Sequence, residues 1–310
     1  LAPLPQTTTI SPTVLAIYAA YEAAATDWDS WGISVGDIGL ECDRALWLAM
    51  RWVSEREFID GRKRSIFETG NIWEERLVAN LEAAGCEVTG TQDKMRFAHG
   101  HLRGKRDGAV SGLAEAPVTE HLLEVKSHKD DKFREVVKKG VKVAQPTHYG
   151  QLQLGCHAFG HSRWCYAIVN KNTDERHIER GEYDHDYCIR QIARAERIAL
   201  SPEPPGRVCK DQTDFRGMFC RQKDVCWGEA MPRVHCRSCL HSSAEPHGDA
   251  AWSCGRWMKP LSIDEQREGC PNHLHIPALV PAEQIDVDEE NETISYRLAD
   301  GSIWIDGASA

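Results

Sequence analysis

Leu122-Leu123-Glu124-Val125-Lys126, taken with the upstream turn Gly104-Lys105-Arg106-Asp107-Gly108, decides how the rest of this chain is read. If the stretch is a strand, its side chains alternate between faces. Glu124 and Lys126 then share one face and Val125 points the other way, into a core. A charged pair on an otherwise apolar strand is costly to desolvate unless a partner compensates. A divalent cation held by Asp107 and Glu124 compensates, with Lys126 beside it to activate water. The competing reading is a cross-strand salt bridge on a half-solvated sheet, and the flanking segments weigh between the two.

Upstream lies Gly70-Asn71-Ile72-Trp73-Glu74-Glu75, inside an apolar-periodic run from Phe67 to Ala84 that predicts a helix ended by Gly85. Downstream, Pro146 opens a predicted helix carrying Tyr149-Gly150-Gln151-Leu152-Gln153. A carboxylate in a D-G turn before E-x-K, a G-x-x-x-E helix and a Y-x-Q-x-Q helix, in this order, resemble the PD-(D/E)XK nuclease superfamily. Within it they are most similar to the RecB-like and lambda-exonuclease-like branch. The resemblance covers roughly residues 66 to 170 and implies a restriction-endonuclease-like α/β core, a mixed central sheet flanked by helices. It implies that Asp107, Glu124 and the Val125 carbonyl hold Mg²⁺ or Mn²⁺ and that Glu74 holds or shares a second ion. Lys126 then positions and deprotonates the attacking water, and Gln151 orients Lys126 or the scissile phosphate.

The order of segments agrees with such a core. Residues 11 to 26 and a segment after Ser34-Val35-Gly36-Asp37 predict helices. Short alternating stretches at 87–89, 95–98, 102–110 and 120–127 predict a strand meander, then come the helix at Pro146, a strand over 163–169 and a closing helix over 187–200. Ser201-Pro202-Glu203-Pro204-Pro205-Gly206 marks a boundary. The expected organisation is a core over 1–200, a cysteine-rich region over 207–280 and a tail over 281–310 with a hairpin around Asp300-Gly301.

Composition narrows the function classes. The chain has 310 residues, 41% of them hydrophobic, enough for a packed interior. It has no apolar run long enough to span a membrane and no signal-peptide pattern at Leu1-Ala2-Pro3-Leu4-Pro5, so a cytoplasmic protein is expected, in host cytoplasm if phage-encoded. Its 12 cysteines then point to metal or thiol chemistry rather than disulfides. The net charge of −10 argues mildly against nucleic acid, but Lys126, Lys129, Lys132, Arg134, Lys138, Lys139 and Lys142 crowd one segment. Their alternatives are phosphate contact and a solvated helix face diluted by Asp130, Asp131 and Glu135.

Cys236-Arg237-Ser238-Cys239, followed by Cys254 and Cys270, has the spacing of a structural zinc site, with His273 an alternative fourth ligand. Cys42 in Leu40-Glu41-Cys42-Asp43-Arg44 and the pair Cys220 and Cys226 resemble the scattered ligands of iron–sulfur RecB-like nucleases. Gly217 stands where that pattern has its first cysteine, so a [4Fe–4S] cluster here requires Cys209. A second zinc site or plain buried thiols compete with it. The leading expectation is a Mg²⁺- or Mn²⁺-dependent deoxyribonuclease, an exonuclease in recombination or end processing. DNA is its partner, a single-strand annealing or recombination protein and self-association are compatible with it, and no membrane is involved. The alternatives are an inactive, zinc-stapled DNA-binding or assembly module and an iron–sulfur redox sensor.

Overall fold

The computed structural model describes residues 11–25 and 32–307. Helix α1 (Pro12–Ala23) has Pro12 in its first turn, where a missing N–H costs nothing. The expected continuation of this helix to residue 26 reaches outside the described residues. Strand β1 (Ile33–Ser34) and helix α2 (Asp43–Met50) follow. The second helix therefore starts later than the apolar pattern predicts, because Ser34 to Leu40 form a strand end and turns. Helix α3 (Gly61–Ala83) begins where the Asp60 carboxylate accepts from the Lys63 amide, and Gly85 follows it at φ +90°.

Then come β2 (Glu87–Thr89), β3 (Lys94–Phe97), β4 (Leu102–Lys105), β5 (Gly108–Ser111) and β6 (His121–His128). The single strand expected over 102–110 is two strands broken at Arg106 and Asp107. Helices α4 (Asp130–Lys139), α5 (Val141–Ala144) and α6 (Pro146–Phe159) cross over to β7 (Arg163–Asn170), which lies parallel to β6, and β8 (Arg176–Glu182) closes that edge. Helix α7 (His185–Leu200) is capped by Asp184, whose carboxylate accepts from the Tyr187 amide.

The central sheet has five strands in the order β2-β5-β6-β7-β8, mixed in direction. One face packs Leu123, Val125, Cys165 and Ala167 against Leu77 and Leu81 of α3. The other packs Leu122, Trp164, Tyr166 and Ile168 against Phe133, Val136, Tyr149 and Leu152 of α4 to α6. β7 is buried on both faces, as its near-continuous apolar run requires.

Beyond α7 lie α8 (Lys223–Trp227), a small antiparallel sheet of β9 (Ser242–Ala244), β10 (Trp252–Cys254) and β11 (Lys259–Leu261), and helix α9 (Ile263–Glu268). The tail forms three strands, β12 (Glu283–Asp288), β13 (Thr293–Arg297) and β14 (Ile303–Asp306), not a lone hairpin. The composition break at 201–206 is no break in packing. One apolar cluster joins Trp47, Leu48 and Met50 to Ala244, Trp252, Leu261 and Ile276. The guanidinium of Arg51 lies over Trp47 and Trp252, and that of Arg237 over Trp52 and Trp252. No helix of the described residues is long and apolar enough to cross a membrane.

Candidate active site

The register of β5 against β6 builds the site. Their ladder ends at Gly108 opposite Leu123, while β6 continues to His128 with only β7 beside it. The Val125 amide and carbonyl on the open side therefore need other partners. Asp107, one residue before β5, supplies the first: its Oδ2 accepts from Val125 N at 2.8 Å. Lys126 supplies the second, its Nζ donating to Val125 O at 2.9 Å. The same ammonium lies 3.3 Å from Asp107 Oδ2 and in ion-pair contact with Glu124 Oε1. Lys126 Nζ thus sits among two carboxylates and a backbone carbonyl, the oxygen set that a hard divalent cation prefers.

The ion pair of Lys126 with Asp107 and Glu124 does form, but its carboxylates lie deeper than a half-solvated sheet face would hold them. Glu124 is 1% exposed and Asp107 8%, so the charges face a covered notch and not open water. Burial pushes the Glu124 carboxyl up, to about 8, against the pull of Lys126; Asp107 and Glu74 add to the rise. The two carboxylates hold the Lys126 ammonium charged despite its burial. Glu74 reaches the same electrostatic environment from α3: burial raises its carboxyl first, then Asp107, and Lys126 opposes. Its Oε1 accepts from Gln92 Nε2 at 3.1 Å, a contact the sequence did not signal.

Gln151 is half-buried, and its Oε1 lies 3.7 Å from where a Cβ on Gly36 would stand. No hydrogen bond joins it to Lys126 among the described residues, so the expected orienting contact is not made in this structure. Gln153 instead has a fixed structural place, donating to Glu182 O and accepting from Asp184 N. Behind the notch stands a group that sequence reading passed over. Tyr166, paired with Glu124 across β6 and β7, places its hydroxyl 2.8 Å from His128 Nε2 and 2.6 Å from His148 Nδ1. Strand alternation puts His128 on the Glu124 and Lys126 face, so this one signal was available.

Most of the lysine-rich segment is α4, where three of its basic side chains are held in ion pairs. Lys132 and Lys139 both pair with Glu135, and Arg134 with Asp130 and Glu175.

All 12 cysteines are free thiols. Cys42, Cys209, Cys220 and Cys226 line one pocket. A Cβ placed on Gly217 would stand 2.8 Å from Cys209 Sγ, so the Cys209 thiol comes in where a side chain at 217 would be. Burial raises the Cys220 thiol, with Cys42, Cys226 and Cys209 adding to the rise. Cys236, Cys239, Cys254 and Cys270 line another pocket, which reaches Asn272 but not His273. There burial, then the three neighbouring thiols, push Cys236 up to about 12. Among the described residues, no three thiols of either set lie mutually within 4.8 Å. One tetrahedral zinc wants sulfurs about 3.8 Å apart, from a Zn–S bond of about 2.3 Å. Either set must close to hold a single zinc.

No protein-family model and no curated protein matches the chain. Among solved structures, an alkaline exonuclease from Laribacter hongkongensis (LHK-Exo) aligns at 14% identity and a TM-score of 0.39, over 59% of this chain and 89% of that one. Its complex with dAMP aligns at 15% identity and a TM-score of 0.39. SSO0001 aligns at 15% identity and a TM-score of 0.38, over 69% of this chain and 94% of that one.

Proposed function

We propose that this chain is a metal-dependent DNA nuclease, an exonuclease that processes DNA ends. The observation that carries the reading is the oxygen set of Asp107, Glu124 and Val125 O gathered around one positive charge. A buried set of that composition fits Mg²⁺ or Mn²⁺, and Glu74, whose carboxyl is raised by Asp107 as well as by burial, would share a second ion. Such an ion, when bound, supplies charge neutralisation for the scissile phosphate. The side chains do the rest. Asp107 keeps one oxygen on the Val125 amide and so stays aimed into the notch. Lys126, released from the two carboxylates where they hold a cation, would lose the charge stabilisation they give it, yield its proton to solvent, and as the neutral amine orient the attacking water and accept its proton. Tyr166 stands beside Glu124 between the buried His128 and the half-buried His148 and holds that wall rigid.

The two thiol sets read as structural metal groups. The Cys42, Cys209, Cys220 and Cys226 set fits a [4Fe–4S] cluster, whose thiolates stand further apart than those of one zinc, with Cys209 taking the place left by Gly217. The Cys236, Cys239, Cys254 and Cys270 set fits zinc after closure.

End-labelled linear DNA and circular DNA, each with Mg²⁺ or Mn²⁺, test the reading. Linear DNA is degraded and circular DNA spared by the wild type, while Glu124→Gln and Lys126→Ala each lose at least about 10²-fold in rate. Undiminished cleavage by both folded variants would overturn the assignment.

A further inference from the structure

The tail sheet carries a cluster that the nuclease reading does not use. In the β13–β14 ladder Ile294 pairs with Asp306 and Tyr296 with Trp304, so Tyr296 and Asp306 project from one face. That face is covered: Tyr296 is 0% exposed and Asp306 5%. His275 is fastened there twice, its amide to Asp306 Oδ2 at 2.7 Å and its ring Nδ1 to Asp306 Oδ1 at 3.0 Å. The His273 ring meets it edge-on with centroids 4.6 Å apart. One ligand atom from each of His273, His275 and Asp306 lies within 4.8 Å of the others, and all three residues are buried.

Two further observations point to a ligand. The Ser238 hydroxyl has a single proton and faces two carbonyls, Arg233 O and His235 O, so toward His273 Nε2 at 3.3 Å it acts as acceptor. That fixes the His273 proton on Nε2 and leaves its lone pair on Nδ1, the arrangement by which an outer contact orients a ligating imidazole. The Tyr296 hydroxyl, fully buried and within the field of Asp306, has no hydrogen-bond partner among the described residues. A buried hydroxyl without a partner marks a place where another group belongs.

We infer that His273, His275 and Asp306 form a site for one zinc-class divalent ion, closed to solvent, which fastens the β12–β14 sheet to the thiol-rich region. Two imidazoles and a carboxylate suit zinc better than Mg²⁺ or Ca²⁺, which prefer oxygen alone. The 3.0 Å edge between His275 Nδ1 and Asp306 Oδ1 is already close to the roughly 3.3 Å between neighbouring ligands of a tetrahedral zinc. Ligation through Nδ1 requires the neutral His275 ring in the tautomer with its proton on Nε2, so the ring keeps one proton and Nδ1 offers its lone pair. Burial of all three ligands denies substrate an approach, so the role is structural. The site sits one hydrogen bond from the Cys236-to-Cys239 turn, through Ser238, and is separate from the thiol pocket. It stands or falls independently of the nuclease reading.

The test is zinc counting on the full chain. An organomercurial displaces thiol-bound metal, and what remains belongs to nitrogen and oxygen ligands. Wild type should keep one equivalent of zinc per chain after this treatment, and Asp306→Asn and His275→Gln should keep none. No resistant equivalent in the wild type, or its retention in both variants, overturns the site. If a variant does not fold, the Co²⁺-loaded, mercurial-treated wild type decides. Visible absorption without thiolate charge transfer supports the site, and its absence overturns it.

Discussion

Lys126 stands where a cation would stand. Its ammonium takes Val125 O, Asp107 and Glu124 as partners, so the apo site is electrostatically quiet and the two buried carboxylates are not left facing each other. If the site takes a metal as proposed, that ion must displace the ammonium, and Lys126→Ala should therefore bind Mn²⁺ more tightly than wild type while its nuclease rate collapses. Isothermal titration reads the affinity, and weaker binding in the variant would show that the ammonium does not compete for the seat. A pH effect belongs to the same wall. Burial first, then the Lys126 charge, depress His128 to about 4 and His148 to about 3. Unfolded imidazole titrates near 6.5, so the unfolded chain takes up protons first as pH falls. The stabilisation from keeping both rings neutral is complete above 6.5 and drains away as pH drops toward their folded values, by a few kcal/mol in all. The urea midpoint should fall between pH 6.5 and about 4.5, less steeply in His148→Gln; an identical slope in the variant would remove His148 from the account. At this scale the sequence was most legible where one strand carries the pattern. Glu124, Lys126 and Asp107 follow from alternation and a turn, whereas Tyr166 and His148 lie on other elements, with no local signal to tie them to the notch.

The elements succeed or fail as readings according to whether their ends carry chemistry. Pro146 opens α6 where the pattern puts it, since it lacks the amide that a first turn leaves unpaired, and Gly160 at φ +75° closes it. β8 was missed because it is an edge strand with charged and polar residues on its open side, so Arg176 to Glu182 shows little apolar periodicity. β12 was missed because Asp286 to Glu292 reads as a solvated acidic run, yet Glu283 to Asp288 pairs with β13 along an exposed edge. The break between β4 and β5 escaped a reading that saw one strand over 102–110, and that break frees Asp107 to turn onto Val125. Close approach between elements is testable at Gly39, in the turn that lies on the start of α6. A Cβ there would stand 2.2 Å from Pro146 O, a backbone atom that cannot swing aside. Gly39→Ala should cost about 1–3 kcal/mol as α6 is pushed off its seat. Because α6 carries His148 and Gln151, its nuclease rate should fall as well. Denaturant melts with wild-type stability would show that the turn yields without strain.

Across the whole molecule, composition and packing disagree, and packing wins. The Ser201-to-Gly206 segment separates two compositions but not two cores. Trp47, Leu48, Met50, Trp252, Leu261 and Ile276 belong to one apolar cluster, and Arg237, inside the Cys236-to-Cys239 turn, donates to Met50 O at 2.9 Å. Linear reading cannot see this, because proline-rich polar stretches look alike whether they link separate domains or cross the surface of one. The pocket lined by Cys42 makes the same point: Cys42 precedes α2, and the other three thiols that line it lie beyond residue 206. The net charge of −10 also sets the scale of any DNA contact, since attraction must come from local groups near the notch and not from the overall field. The architecture then makes a strong prediction about cutting the chain. Ending it at Leu200 leaves every residue of the Asp107, Glu124 and Lys126 notch in place, and a self-contained catalytic domain would still fold and cleave DNA. Here that cut uncovers Trp47, Leu48 and the Arg51 guanidinium, removes Trp252 and Ile276 from their cluster, and strands Cys42 without its companion thiols. The loss of several buried large side chains, each contributing about 1.5–3 kcal/mol, exceeds the margin by which a domain of this size is stable. The 1–200 fragment should therefore show no cooperative thermal transition and no metal-dependent nuclease activity, while the full chain shows a single transition. A fragment that melts cooperatively and degrades DNA would prove the shared cluster dispensable.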